Sequence, residues 1–143
     1  MKLIKVRFGK MKCALCGKEI EVGQKAWYHN STKVRLVFCA ACGGNDVGEA
    51  IRSWMLTRLA EKALKIAEAA DLLQQARQNK TLSLDTISHL ERHLQNESLL
   101  VETTTEKLHQ LSTHEVVEKL DTFAWNLVHI DTAEEVFRWC RRK

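Results

Sequence analysis

Residues 13–17 read CALCG and residues 39–43 read CAACG, so a pair of thiols three positions apart, closed by a glycine, is written twice in a 143-residue chain. The full pattern is C-x2-C-x22-C-x2-C over Cys13, Cys16, Cys39 and Cys42. Two residues between thiols let both sulfurs of a turn face one ion ~2.3 Å away, and two such pairs complete a tetrahedron. The expected cofactor is one structural Zn²⁺, because four thiolate ligands leave no position open for water or substrate. Glycine after each pair suits a tight knuckle, and both Gly17 and Gly43 are expected to take positive φ. Three other readings stand beside zinc. An iron–sulfur cluster accepts the same ligands, a redox dithiol needs only one pair and a βαβ setting, and buried cysteines can be unrelated.

Over about positions 10–48 these residues give the chain a resemblance to the zinc-ribbon and treble-clef classes of four-cysteine zinc finger. A ribbon carries both pairs in knuckles at the ends of β-hairpins, and the doubled CxxCG agrees with that. A treble clef carries the second pair at the start of a helix, and a helical pattern does begin soon after Cys42. A strand-rich segment with so few large apolar residues would need the metal to fold.

Outward from the cysteines the hydrophobic period changes. LIKVRF (Leu3–Phe8) and KVRLVF (Lys33–Phe38) alternate like strands, 24–30 offers another, and Asn30-Ser31-Thr32 reads as the turn between the last two. From Ile51 the apolar residues Met55, Leu59, Ala63, Ile66, Ala70 and Leu73 recur at helical spacing. A second stripe holds Ile87, Leu90, Leu94, Val101, Leu108 and Leu111, weakened by Glu97 and Thr103-Thr104-Thr105 enough to suggest a break near 96–103. Ser112 with Glu115 forms a capping box, as do Asp46 with Glu49 and Asp131 with Glu134. The chain has no proline, which favours long helices. The expected fold is α+β and mostly α: a zinc-binding β module with four cysteine ligands over residues 1–45, then an α-helical domain over 46–143, a three- to four-helix bundle or long helical hairpin.

Charge is uneven. Residues 1–42 hold nine Lys or Arg against two Glu, a balance of +7, whereas residues 43–120 hold nine basic against twelve acidic groups, −3. On paired strands Lys25, Trp27 and His29 share one face, and Lys33 and Arg35 share another. If those faces coincide, the surface is basic and aromatic, suited to phosphate contact and base stacking; otherwise Trp27 is simply the core of the module. His89 and His93 in HLERH have i, i+4 spacing without the Glu of a zinc protease motif, and read as a solvated face. Cys140 beside Trp139 reads as a buried structural thiol. Arg141-Arg142-Lys143 closes the last helix with positive charge.

These features define expectations for function. With no phosphate loop, no nucleophile beside a base and no open metal position, the chain is expected not to be an enzyme and to take no small-molecule substrate. No apolar run approaches the ~20 residues of a membrane span, and residues 1–13 do not resemble a secretory signal, so a reducing, cytoplasmic setting is expected. The expected function is a nucleic-acid-associated binding or adaptor protein, with Lys12, Lys18, Lys25, Trp27, Lys33 and Arg35 facing the phosphate backbone of DNA or RNA. The alternative is a protein-interaction or self-associating subunit, motivated by the long stripe from Ile51 and by Trp125, Phe137 and Trp139, in which the zinc is purely structural.

Overall fold

The computed structural model describes residues 1–141, so Arg142 and Lys143 of the expected basic terminus lie outside the described residues. The fold is α+β and mostly helical, with small sheets around the four cysteines followed by helices. The strands are β1 (Lys2–Lys5), β2 (Met11–Lys12), β3 (Glu19–Ile20), β4 (Lys25–Asn30) and β5 (Arg35–Cys39). β4 lies between β1 and β5 in an antiparallel sheet, and β2 pairs with β3 in a two-stranded ribbon. The helices are α1 (Ala40–Gly43), α2 (Val47–Asn79), α3 (Leu84–Gln110), α4 (Thr113–Glu118), α5 (Leu120–Val128) and α6 (Thr132–Arg141). Among the described residues no helix is long and apolar enough to cross a membrane.

Two compact units form, one from Met1–Thr57 with Leu108–Leu127 and one from Arg58–Lys107 with Val128–Lys143. In the first, Ser31 makes the expected turn: its N–H donates to the Val34 carbonyl at 3.0 Å, and its Oγ accepts from the N–H groups of Lys33 and Val34 at 3.2 Å each. β1 is shorter than the alternating pattern suggested, ending at Lys5, and Phe8 falls in a bend before Gly9. Phe38, Ile51, Met55, Leu108, Val116 and Leu120 are fully buried here. The capping box of Ser112 and Glu115 starts α4 as expected. Asp46 accepts from the Gly48 N–H at 3.1 Å, but the Glu49 carboxylate turns to Arg52 at 3.5 Å instead of back to the cap. The Arg52 guanidinium in turn donates to the carbonyls of Leu108 and Leu111, acceptors left over at the end of α3.

The second unit is built on the later turns of α2 and most of α3, which lie side by side and are tied by an Arg77–Glu91 ion pair. Ala and Leu dominate this part of α2, joined by Gln, Glu, Lys and Arg, all strong helix formers. Its end is a left-handed Lys80 at φ 55, with the Thr81 N–H donating to the Ala76 carbonyl, and Ser83 then caps α3 through the Thr86 N–H at 3.2 Å. Leu59, Ile66 and Leu73 are buried as expected, but Ala63 and Ala70 are exposed and Ala69 takes the inner position. α3 runs unbroken through 96–103. The Thr103 and Thr105 hydroxyls donate to the carbonyls of Leu99 and Val101, and Thr104 is buried, so the hydroxyls of Thr103 and Thr105 are satisfied within the helix. Glu97, which weakens the stripe in sequence, accepts from the Thr132 N–H at 2.9 Å and so caps α6. Glu134, expected to complete a box with Asp131, instead pairs with Lys65 at 2.9 Å.

Candidate metal centre

Each cysteine pair is placed by a short element and a turn. Cys13 follows β2, its N–H donating to the Lys18 carbonyl, and the Gly17 N–H closes the knuckle onto the Cys13 carbonyl, both at 2.9 Å. Gly17 takes the positive φ expected of it, +73. The Ala14 N–H donates to the Val37 carbonyl at 2.8 Å and fixes this knuckle to β5. Cys39 ends β5 and caps α1, with its Sγ 3.4 Å from the Cys42 N–H. Gly43 corrects the expectation of a positive φ: it is buried within α1, and the left-handed residue is Gly44 at φ 53. Gly43 is small for a different reason. A Cβ there would lie 2.6 Å from Nε1 and 3.0 Å from Cγ of Trp27, and nearer still to Cδ1.

All four sulfurs lie within 4.8 Å of one another, and Cys16 and Cys39 Sγ are 3.9 Å apart. A tetrahedron with Zn–S bonds of ~2.3 Å has S···S edges of about 3.8 Å, so the donor set fits the ion in number, chemistry and spacing. These thiols form one structural zinc-type site. Cys13 is buried and Cys16 exposed, with Cys39 and Cys42 between. Burial pushes the Cys13 thiol up, but the backbone N–H groups of Cys16, Cys39 and Leu15 outweigh it and bring it down to about 7. The Cys39 side chain and burial push Cys42 up to about 12. Four thiols this close ionise together only when a cation offsets their mutual repulsion.

The expected phosphate-facing residues are not brought together on one surface. In the β4–β5 register Trp27 pairs with Phe38 and His29 with Leu36, whereas Arg35 pairs with Asn30 and lies on the opposite face, its guanidinium 5.8 Å from the Tyr28 ring. Trp27 is half-buried against Gly43. Lys33 sets its ammonium 3.9 Å over the Trp125 ring, and Lys12, at the end of β2, pairs in register with Glu19. Lys18 and Lys25 line one shallow groove with Glu19, Glu21 and Gln24.

Two features escaped the sequence. Asp121 Oδ1 accepts from the Ser31 hydroxyl at 2.8 Å and meets His29 Nε2 at 3.0 Å, and the His29 contact, then Ser31, holds its carboxyl below the usual range. No local signal joins residues ninety positions apart. Phe8 was read as a strand end, although the adjoining Gly9, at φ 68, marks the bend that exposes it.

Outside the four cysteines, no other group of three or more metal-binding side chains occurs among the described residues. His89 and His93 are exposed, with ring centroids 4.5 Å apart. Cys140 is half-buried in a small cleft with Leu72, Ala76 and Trp139, and burial raises its thiol. Comparison with family models, curated proteins and solved structures gives no match to this chain.

Proposed function

We propose that this chain is a non-enzymatic, nucleic-acid-associated adaptor, in which a zinc-held finger of the treble-clef form presents positive charge to a phosphate backbone. The treble-clef reading is supported by the second cysteine pair, which straddles the start of α1 while the first sits in the β2–β3 turn. The observation that carries the functional reading is a set of unneutralised cations. Lys2, Lys5, Arg7, Lys10, Lys12, Lys18 and Lys25 are all exposed, and among the described residues none forms an ion pair. Among the helical cations Arg52, Arg58, Lys65, Arg77 and Arg141 each meet a glutamate, while Lys62, Arg92, Lys107 and Arg138 are spread over three helices. Glu19 and Glu21 are the only acidic groups of this segment, against seven exposed cations, so a net repulsion is left that a polyanion relieves. A closed four-thiolate site supplies no reactive position, which supports a binding role over catalysis.

The test is affinity of the full, zinc-loaded chain for DNA and RNA oligonucleotides as salt rises from about 50 to 200 mM. Neutralising about four phosphates of a single strand would weaken binding about 50-fold over that range. Salt-independent binding, or none, defeats the reading. A second reading, partner binding through the helices, is supported by Leu64 on α2 and Leu99 on α3, exposed by 72% and 63%. Sedimentation of the full chain tests it, since a strict monomer counts against self-association.

A further inference from the structure

Phe8 is the most exposed large apolar residue described, at 80%, in a bend whose flanks are cationic: Lys5 and Arg7 precede it, and Gly9 and Lys10 follow. A bare phenyl ring in water is unfavourable by its apolar area alone, and nothing in the turn requires an aromatic there. Beside it runs a shallow groove of about 460 Å³ lined by Ile4, Lys5, Arg7, Phe8 and Met11. Its lining combines three apolar side chains, Ile4, Phe8 and Met11, with two cationic ones, Lys5 and Arg7. Lys5 also stands directly opposite Lys25 in the β1–β4 register, a like-charge pair that weakens a sheet unless an anion lies across it.

We infer that the Arg7–Lys10 bend is a single-strand nucleic-acid contact, in which an unpaired base stacks on Phe8 while Lys5, Arg7 and Lys10 hold the adjoining phosphates. This deepens the proposed function and rests on it. A flat apolar ring beside cations matches the alternating chemistry of a single strand, where each base offers a π-face and each linkage a charge. A duplex hides those faces within its stack, so the bend discriminates against it. The bend offers one exposed ring beside a shallow groove, whereas insertion into a lipid surface would call for a protruding apolar wedge of several residues. Trp27, the aromatic first favoured by sequence, is engaged against Gly43 and does not serve.

The experiment measures binding of the full zinc-loaded chain to a labelled deoxythymidine strand, to a duplex, and to vesicles of phosphatidylserine and phosphatidylcholine. Three variants accompany it: Phe8→Ala, Phe8→Trp and Arg7→Gln. The exposed position of Phe8 leaves the fold and zinc content unchanged, which a metal assay verifies. Phe8→Ala should weaken single-strand binding about 5- to 150-fold without changing its salt slope, and Phe8→Trp should retain it. Arg7→Gln should lower the slope by about 0.7. If the parent binds no nucleic acid, the adaptor reading and this inference fall together. If the parent binds with steep salt dependence but Phe8→Ala is unchanged, or duplex is preferred, only this inference falls. Retention on vesicles that Phe8→Ala abolishes, with no strand binding, assigns the bend to a membrane surface and overturns it.

Discussion

Gly43→Ala is the sharpest test of how the metal module is packed. The added methyl would stand 2.6 Å from Trp27 Nε1 and nearer still to Cδ1, and an ordinary contact is about 3.5 Å, so the indole must retreat by more than about 1 Å. Trp27 has little freedom to do so, because it sits in the central strand β4, paired with Leu3 on one side and Phe38 on the other. Overpacking of this kind costs about 2–3 kcal/mol. Alanine recovers about 1 kcal/mol as a better helix former in α1, leaving a net loss of about 1–2 kcal/mol. Native-state hydrogen exchange reads the finger alone, and β4 and β5 amides should exchange about 5- to 30-fold faster. In a Trp27→Leu background the obstacle is gone, so the same alanine should be neutral or slightly stabilising. Exchange within twofold of the parent would refute the packing argument, as would equal acceleration in the Trp27→Leu background.

Other outcomes follow from particular contacts. Cys13→Ser should lose the equivalent of zinc and unfold the finger, seen as zinc content by mass spectrometry and loss of β4 amide protection, while two irons and visible colour in the parent would replace the zinc assignment. Because the ligands bind as thiolates, with Cys42 at about 12 and Cys13 at about 7, zinc affinity should fall as pH is lowered and more steeply below neutrality, measured with a chromogenic chelator. Glu97→Ala removes the acceptor for the Thr132 N–H and should cost about 1 kcal/mol in urea unfolding, with Glu97→Gln milder. Asp121 has a depressed carboxyl pKa in the fold, so its contribution is present above the unfolded value of about 3.9 and is lost as pH falls through the lower folded value. Asp121→Asn should flatten the acid limb of the stability curve, and an unchanged limb would show that the His29 and Ser31 contacts contribute nothing.

The metal site and the helical majority were legible in the sequence because both are local. Four thiols at fixed spacing and apolar residues in steps of three and four declare themselves without knowledge of the fold. The Ser112 and Glu115 box is equally local, and it forms. Glu134 reads in sequence as part of the nearby Asp131 cap and the fold takes the far partner Lys65, while Glu97, which reads in sequence only as a weak point of the stripe, serves α6. The expected break near 96–103 does not form because β-branched propensity is a small term beside a buried stripe. The basic face depended on strand register, and register was not legible: with Asn30 opposite Arg35, the arginine and Trp27 look in opposite directions. Gly43 was rightly singled out for the wrong reason, since only the fold reveals the indole lying over it.

The tie from His29 and Ser31 to Asp121 has a temporal side. Asp121 follows His29 by 92 residues, and at 5–20 residues per second a ribosome takes roughly 5–18 s to deliver it. Both cysteine pairs have been synthesised long before. During that interval the finger has its strands and its thiols but not the carboxylate that later anchors its β4–β5 turn, so metal capture is the step that can fold it first. Zinc supply during synthesis is therefore expected to set the yield of folded protein, separately from the stability of the finished chain.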